Sequence, residues 1–250
     1  MPWLVIVFAR RLKQLRKLAK VLANSGYRRS FRRAGVAAAI EHEPLLKTLN
    51  FSTIVDIGAN RGQFSLVARC CFPAARIIAF EPLDPAAERF RNALRGDSLV
   101  TLHQVAIGPS KGDATMHVAA EDDSSSLLPI TELQKSLFTG TREVATATVQ
   151  VDTLSDRIKD GELQSPALLK IDVQGFELAV LHGCVSLLPR FSHVYIECSF
   201  VELYAGQALA AEVIDHLSDH GFDLRGVYNV QYDPQGCALQ ADLLFAARNR

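Results

Sequence analysis

The stretch formed by residues 53–62 limits the fold of this chain more than any other. An apolar run carries Asp56 near its end, Gly58 and Gly62 follow four residues apart, and a helical pattern begins directly after the second glycine. This order predicts a buried strand, a turn that needs glycine, and a helix whose first backbone N–H groups are open to a ligand. A second buried strand, which ends at Glu81, repeats the scheme. Together the two motifs predict an α/β sheet that holds an adenosine-bearing cofactor.

Strand-like and helical segments alternate from residue 51 onward, which predicts an α/β fold with a mostly parallel sheet and helices on both faces. The predicted strands fall at 53–57, 76–80, 99–106, 167–172 and 193–198, and the predicted helices at 63–72, 85–95, 175–188 and 208–220. Two further runs, 222–229 and 241–247, predict an antiparallel pair joined by a turn at 233–236. The alternation is interrupted at 107–166, where we expect an insertion built on a β-hairpin, with a loop over the site.

The glycine turn distinguishes between two classes of cofactor. A dinucleotide site favours G-x-G-x-x-G, whereas Asn60 stands at the middle glycine position here. A cofactor with a carboxylate and an amine fits better, because the turn offers N–H donors and Asp56 offers an acceptor. S-adenosylmethionine carries both groups, and Glu81 can accept hydrogen bonds from its ribose hydroxyls. The residues that we predict to contact this cofactor are Asp56, Gly58, Asn60, Gly62, Glu81 and Ala106.

Two carboxylates end neighbouring strands of the predicted sheet. Asp172 follows the run that begins at Ala167, and Glu197 follows the run that begins at His193. Ligands bind at the carboxyl edge of open α/β sheets, so both side chains are candidates for contact with the substrate. Such a pair can remove a proton from a hydroxyl, or hold a hard cation such as Mg²⁺. Alternatively, Asp172 only caps the helix predicted from residue 175.

A short serine run lies within the insertion, in a polar loop. We predict that its hydroxyls bind oxygen atoms of the substrate, although a surface loop without a ligand gives the same pattern. The three residues are Ser124, Ser125 and Ser126.

Charge divides the chain into a basic N-terminal extension, 1–50, and a catalytic domain, 51–250. Residues 1–40 hold ten Lys and Arg and no acid, which leaves 17 basic and 27 acidic residues elsewhere, a net charge of −10. Apolar residues recur at helical spacing through positions 4–22. A basic amphipathic helix of this kind either packs on its own domain or lies on an anionic membrane surface. Nucleic acid is the least expected partner, since the extension contains no recognised nucleic-acid-binding module.

The cysteine content and the N-terminal apolar run both favour a cytoplasmic location. Five cysteines show neither CxxC spacing nor a disulfide framework, as is usual for reduced thiols. The apolar run at 3–9 is too short for a membrane span, which needs about 20 residues, and it lacks the features of a secretory signal. We expect a cytoplasmic protein, with peripheral contact to the inner membrane surface as an option.

The chain resembles the FkbM family of S-adenosylmethionine-dependent methyltransferases over residues 54–204. The blocks that carry the resemblance are Val55 to Gly62, Phe80 to Pro82, Ser124 to Ser126, Val151 to Leu154, Leu169 to Glu177, and Glu197 with Tyr204. It implies a class I Rossmann-like fold with a seven-stranded sheet and O-methylation of a hydroxyl on a sugar, a glycolipid or a polyketide. It also implies that Gly58, Asn60 and Glu81 contact the cofactor, while Asp172 and Glu197 face the substrate.

Two other functions remain open at this point. An NAD-dependent oxidoreductase shares the strand, glycine and acid order, but the chain lacks a Tyr-x-x-x-Lys pair and carries Asn60 in the turn. A non-catalytic cofactor-binding module, recruited to a membrane or partner by its basic arm, is the alternative from another class.

Overall fold

The computed structural model describes residues 23–159 and 161–248. Its helices are α1 (Ser25–Ala34), α2 (Glu43–Leu46), α3 (Gln63–Cys71), α4 (Asp84–Ala93), α5 (Glu132–Leu137), α6 (Leu154–Arg157), α7 (Glu177–His182) and α8 (Ala210–Asp219). Its strands are β1 (Thr53–Ile57), β2 (Arg76–Phe80), β3 (Val100–His103), β4 (Ala106–Ile107), β5 (Gly112–Ala119), β6 (Glu143–Asp152), β7 (Ala167–Ile171), β8 (His193–Ser199), β9 (Phe222–Tyr232) and β10 (Ala238–Ala247).

Seven strands form one sheet in the order β3-β2-β1-β7-β8-β10-β9. β1 is parallel to both of its neighbours, and β7 is parallel to β8. β10 runs antiparallel to β8 and to β9, with a turn at residues 233–236. The structure therefore confirms the predicted α/β fold, a mostly parallel seven-stranded sheet closed by an antiparallel hairpin. This is the class I methyltransferase fold that the resemblance implies.

The central strands are covered on both faces. Every residue of β1 and β7 is buried, as expected for parallel strands that read as continuous apolar runs. Val55 and Ile57 pack into one core cluster with α8, while Ile54 packs into a second cluster with α3. Because β1, β2, β7 and β8 are parallel, their carboxyl ends meet at one edge of the sheet.

The insertion differs in detail from the prediction. Its two long strands pair in antiparallel fashion, as expected of a hairpin, but they form a separate three-stranded sheet, β4-β6-β5, and α5 lies between them. The strand predicted at 99–106 is split, and its last residue, Ala106, belongs to this small sheet. The helix predicted at 175–188 is shorter, since α7 spans only Glu177–His182.

The described part of the N-terminal extension, residues 23–50, packs on the sheet domain. Tyr27, Ile40 and Leu46 are buried in the same core cluster as Phe64 of α3. The amphipathic positions at 4–22 lie outside the described residues. Within the part that the structure describes, no helix combines the length and the hydropathy needed to cross a membrane.

Candidate active site at the carboxyl edge of the sheet

A cavity of about 810 Å³ opens at the carboxyl edge of the main sheet. Its volume lies within the range of small-molecule sites, about 300–1,000 Å³. Seven of the predicted site residues line it: Gly58, Asn60, Glu81, Ala106, Ser125, Asp172 and Glu197. The other four, Asp56, Gly62, Ser124 and Ser126, are not among its lining residues.

The turn between β1 and α3 depends on backbone geometry that favours glycine. Gly58 has φ +77°, and a Cβ atom there would overlap the carbonyl group of Asp172. Asn60 also adopts a positive φ of 46°, which few residues other than glycine do. Gly62 has φ +91°, and a Cβ atom there would lie 3.0 Å from the ring of Phe90. Gly58 therefore lets the turn approach the end of β7, while Gly62 allows α3 to pack against α4.

Glu81 is a buried carboxylate held by two backbone N–H groups. Asn60 N donates to its Oε2 at 3.0 Å, and Leu83 N donates to its Oε1 at 2.8 Å. These bonds join the glycine turn to the end of β2 and fix the carboxylate at the cavity wall. A carboxylate can accept about four hydrogen bonds, so it can also receive donors from a bound ligand. Its position fits the ribose hydroxyls of an adenosine-bearing cofactor.

Asp56 lies beneath the cavity instead of within it. Its side chain is fully buried, and Ser65 Oγ donates to its Oδ2 at 2.6 Å. Its Oδ1 forms an ion pair with Lys170 Nζ at 3.4 Å. The prediction that Asp56 accepts a hydrogen bond from the cofactor is therefore replaced by a supporting role, because its oxygens face α3 and β7.

Lys170 is a site residue that the sequence analysis did not select. Its Nζ lies 3.4 Å from Asp56 Oδ1, from Asp172 Oδ2 and from the carbonyl oxygen of Gly58. Burial by itself would lower the pKa of Lys170, but the charges of Asp172, Asp56 and Asp242 outweigh burial and raise it. The lysine is therefore a fixed positive charge between the glycine turn and the candidate catalytic carboxylate. Because Lys170 lies within an apolar strand pattern, its sequence context does not indicate this role.

Gln174 joins the two predicted catalytic carboxylates. Its Nε2 donates to Asp172 Oδ1 at 2.8 Å and to Glu197 Oε2 at 3.0 Å, which uses both amide hydrogens. Tyr204 OH donates to its Oε1 at 2.8 Å. Gln174 has a positive φ of 57°, a strained conformation that is concentrated at functional sites. The predicted pair is thus brought together, and the residue that joins it lies in the Leu169 to Glu177 block.

Glu197 and Asp172 differ in their surroundings. Burial raises the pKa of Glu197 well above its usual value, and the negative charges of Asp172, Asp242 and Glu177 raise it further. Glu197 Oε1 also accepts a hydrogen bond from Gln240 Nε2 at 3.0 Å. Asp172 is about a third exposed and is paired with the Lys170 ammonium. The arrangement favours a protonated Glu197 beside the Asp172–Lys170 ion pair.

The serine loop is held at its two ends by Gln174 and Tyr204. Ser126 Oγ donates to the carbonyl oxygen of Gln174 at 2.6 Å, and the carbonyl oxygen of Ser124 lies 3.1 Å from Tyr204 OH. Ser125 lines the cavity, and its Oγ accepts a hydrogen bond from Ala119 N at 3.1 Å. The loop therefore does more than cover the surface. Ser126 and Ser124 hold the loop in place, while Ser125 is the serine placed to meet a ligand.

The predicted Mg²⁺ site receives no support from the structure. In residues 23–159 and 161–248, no three His, Cys, Asp or Glu side chains are grouped so that they could hold a metal ion. The amide hydrogens of Gln174 instead bridge the two carboxylates that a cation would have used.

Comparison with known proteins assigns the family. The family described as Methyltransferase FkbM domain matches residues 56–224, which is more than half of the chain. The chain belongs to the FkbM methyltransferase family. It is therefore an S-adenosylmethionine-dependent methyltransferase, and the alternative of an NAD-dependent oxidoreductase is set aside. The cavity fits the donor, because the held carboxylate of Glu81 and the glycine turn lie in its wall.

Several relatives of this FkbM-family enzyme carry names that describe a reaction. The 2-O-methyltransferase NoeI of Sinorhizobium fredii is 30% identical over 170 residues, which cover 66% of this chain and 70% of that protein. The 31-O-demethyl-FK506 methyltransferase FkbM of Streptomyces tacrolimicus is 29% identical over 195 residues, 68% of this chain and 72% of that protein. The hexuronic acid methyltransferase AglP of Haloferax volcanii is 27% identical over 146 residues, 57% of this chain and 54% of that protein.

Proposed function

We propose that the enzyme transfers a methyl group to a hydroxyl of a sugar, a glycolipid or a polyketide-type natural product. The observation that carries the proposal is the Asp172–Gln174–Glu197 group, a held pair of carboxylates in the same cavity as the glycine turn. The names of the relatives support it, since they act on a 2-O position, on a hexuronic acid and on demethyl-FK506. The polar part of the cavity wall suits an acceptor rich in hydroxyl groups.

The donor site, in this proposal, combines Gly58, Asn60, Glu81 and Ala106. Glu81 accepts hydrogen bonds from the ribose, and the turn at Gly58 brings backbone groups close to the donor. Lys170 holds the turn through the carbonyl oxygen of Gly58 at 3.4 Å. S-adenosylmethionine supplies a sulfonium methyl group that is already activated for displacement. The protein therefore mainly aligns the acceptor, a contribution of about 7–11 kcal/mol in favourable cases.

Asp172 accepts the proton of the acceptor hydroxyl in this mechanism. Its Oδ1 is oriented by Gln174 Nε2 at 2.8 Å, and its Oδ2 lies 3.4 Å from Lys170 Nζ. Glu197, which burial and neighbouring charges keep protonated more readily, can donate a hydrogen bond to the acceptor. Ser125 contributes a hydroxyl at the cavity wall. Asp172 is the first choice for the base, and Glu197 is the second.

The proposal is tested by methyl transfer from labelled S-adenosylmethionine to a defined panel. The panel holds the methyl glycosides of glucose, fucose and glucuronic acid, a bacterial lipid extract, and cyclohexanol as an acceptor with a single hydroxyl. We expect label in at least one hydroxyl-bearing acceptor, as an alkali-stable methyl ether. Label in none of them would contradict O-methylation of this class of acceptor.

The variant Asp172→Asn separates chemistry from binding. Because the amide cannot accept the proton as a carboxylate does, turnover should fall by about 10²-fold or more, while affinity for S-adenosylhomocysteine changes little. Asp215→Asn, a change of the same kind at an exposed position on α8, serves as the matched control. Full turnover in Asp172→Asn would remove Asp172 from the mechanism.

We also propose a cytoplasmic enzyme whose basic N-terminus contacts an anionic membrane, which would suit a glycolipid acceptor. Deleting residues 1–22 leaves the packed part of the extension in place, since Tyr27 and Leu46 remain. Binding to vesicles of phosphatidylglycerol should be lost in the deleted protein and weakened by salt in the full chain. Equal vesicle binding by both proteins would contradict this part of the proposal.

A further inference from the structure

A second polar group lines the cavity next to the carboxylate pair. It consists of His42, Tyr195, Asn229 and Asp242, of which His42, Asn229 and Asp242 are cavity-lining residues. These three lie outside residues 56–224, the part that matches the family. His42 comes from the segment before β1, and the other two come from the closing hairpin. Apart from Tyr195 on β8, the group is therefore built by segments outside the matched domain.

Register places this group beside the catalytic carboxylates. Asp242 on β10 pairs directly with Glu197 on β8. Side chains of residues that face each other across an antiparallel pair have Cβ atoms about 4.5–5.5 Å apart. Asp242 is accordingly a near neighbour of Glu197, and the negative charge of Asp242 contributes to the raised pKa of Glu197.

The contacts of the group favour a proton on Nδ1 of His42, which also lies 3.6 Å from Asp242 Oδ2. Asp242 Oδ2 accepts from Tyr195 OH at 3.0 Å and from Asn229 Nδ2 at 2.7 Å. Tyr195 has a single hydroxyl proton, so its oxygen acts as the acceptor at its 2.9 Å contact with His42 Nδ1. Nδ1 is then the protonated nitrogen, and a neutral ring keeps a lone pair at Nε2. Asn229 Nδ2 lies farther from His42 Nδ1, at 3.3 Å, than from the carboxylate.

The ring and its supports are held in place by their neighbours. His42 makes edge-to-face contacts with Phe64 and Tyr195, with ring centroids 5.4 and 5.6 Å apart. Asn229 has φ +48° and lies at an irregularity of the β9–β10 pairing, where Gln240 pairs with Gln231 but Asp242 pairs with Tyr228. Such bulges redirect side chains beside active sites, and a left-handed Asn is a strained conformation. The local strain serves to aim Asn229 at Asp242.

We propose that His42 Nε2 accepts a hydrogen bond from a second hydroxyl of the acceptor, so that the enzyme selects a polyol such as a sugar ring. The inference rests on the proposed function, and it assigns the specificity of that site to the N-terminal segment. One hydroxyl meets Asp172 and reacts, while another meets His42 and orients the molecule. Tyr195, Asn229 and Asp242 are positioning residues, because they act through the histidine ring.

A different ligand for His42 would be the carboxylate of the methyl donor. A carboxylate needs a donor at Nε2, whereas the proposed neutral ring, protonated at Nδ1, offers an acceptor there. The two assignments therefore predict different effects on donor affinity, unchanged in the proposal and weaker in the alternative. Loss of His42 should weaken binding of the acceptor if the proposal holds, and binding of the methyl donor if the other assignment holds.

The first test reads the histidine tautomer by nitrogen-15 NMR of the full chain with S-adenosylhomocysteine bound. His42 is assigned among the seven histidines by comparison with His42→Gln. We expect a proton on Nδ1 and none on Nε2, and a loss of this preference in Tyr195→Phe. A proton on Nε2 in the wild-type protein would overturn the proposal.

The second test compares His42→Ala with His42→Gln, whose amide oxygen can replace the acceptor at Nε2. His42→Ala should raise the KM for a methyl glycoside by about 3- to 10-fold, the usual effect of one lost hydrogen bond, with kcat largely kept. It should leave the KM for cyclohexanol and the Kd for S-adenosylhomocysteine within about twofold, because in this proposal neither molecule loses a hydrogen bond to Nε2. His42→Gln should recover part of the loss.

The outcomes separate this proposal from the proposed function. Weaker binding of S-adenosylhomocysteine in His42→Ala, or a fall in kcat with an unchanged KM, would overturn it. If no acceptor in the panel gains a methyl group, the proposed function fails. The tautomer measurement still decides whether Nε2 offers a lone pair to a hydroxyl.

Discussion

At the scale of single residues, the proposed recognition of the donor depends on Glu81. Its carboxylate is positioned by Asn60 N and Leu83 N before any ligand arrives, so binding does not have to order it. A carboxylate accepts stronger hydrogen bonds from hydroxyl groups than a neutral amide does.

The variant Glu81→Gln should therefore bind S-adenosylhomocysteine at least about 10-fold more weakly, since hydrogen bonds to a charged group contribute about 1.5–3 kcal/mol. Isothermal titration calorimetry measures this directly. Glu88→Gln makes the same change at an exposed position on α4 and should bind like the wild type. Equal affinity in the two variants would refute a ribose contact at Glu81.

Gln174 is the residue on which the geometry of the carboxylate pair depends. Gln174→Ala removes the amide nitrogen that donates to Asp172 at 2.8 Å and to Glu197 at 3.0 Å. Turnover should fall by about 10-fold or more, in line with the cost of misplacing catalytic groups, while donor affinity is kept. Gln235→Ala, at an exposed turn position, is the control in the same assay. Unchanged turnover in Gln174→Ala would show that the pair does not need the bridge.

The sequence predicted the residues of this site whose type and place at a strand end carry a signal, such as Glu81 and Asp172. It did not predict Lys170 or His42. Lys170 sits inside an apolar strand, and its three partners come from separate elements. His42 lines the cavity because the segment before β1 packs next to it, and no local sequence pattern predicts this contact. For the same reason Asp56 was placed in the cavity, although its oxygens face Ser65 and Lys170.

At the scale of elements, the turn between β1 and α3 is the joint that brings the donor site to the end of β7. Gly58 allows this in two ways, through its positive φ and through the absence of a Cβ atom next to Asp172. Gly236 in the hairpin turn also has a positive φ, of 90°, but nothing lies near its missing Cβ atom.

Comparing Gly58→Ala with Gly236→Ala separates strain from overlap. Strain alone costs about 1 kcal/mol of unfolding free energy, so Gly236→Ala should lose about that much. Gly58→Ala should lose more than Gly236→Ala and should also bind S-adenosylhomocysteine more weakly, because the turn must move away from Asp172. Urea denaturation and calorimetry give the two quantities. Equal losses of stability in both variants would mean that the close approach at Gly58 is not important.

The sequence predicted which helices and strands are present, but it did not always predict which strands pair. A β-hairpin was predicted within the insertion at 107–166, and β5 and β6 form it. That β6 pairs with β4 and β5 in a separate sheet depends on tertiary contacts. The close approach of Gly183, directly after α7, to Gly108 likewise joins residues that are far apart in the chain.

At the scale of the whole molecule, stability should depend on pH through a buried carboxyl group. Burial raises the pKa of Glu177 to about 7, even though the N–H groups of Val173 and Gly175 donate to its Oε1. The unfolded chain has a glutamate pKa of about 4.3. Between these values the folded state holds the proton and the unfolded state does not. This contribution is therefore fully present below the lower pKa and is lost as pH rises through the higher one.

Glu177→Gln removes this titration. From pH 5 to pH 8, the unfolding free energy of the wild type should fall relative to that of the variant by about 2.5 kcal/mol. Urea denaturation at several pH values measures the difference, with Glu88→Gln as a variant that should follow the wild type. Parallel pH profiles for the wild type and Glu177→Gln would show that Glu177 does not hold a proton in the folded state.

The account as a whole depends on one cavity binding the methyl donor through the glycine turn and Glu81. The most direct measurement is a calorimetric titration of the full chain with S-adenosylhomocysteine, beside a titration with NAD. We predict saturable binding of one S-adenosylhomocysteine per chain, no binding of NAD, and a weaker affinity in Glu81→Gln. Absence of binding by S-adenosylhomocysteine, or equal binding of NAD, would contradict the account.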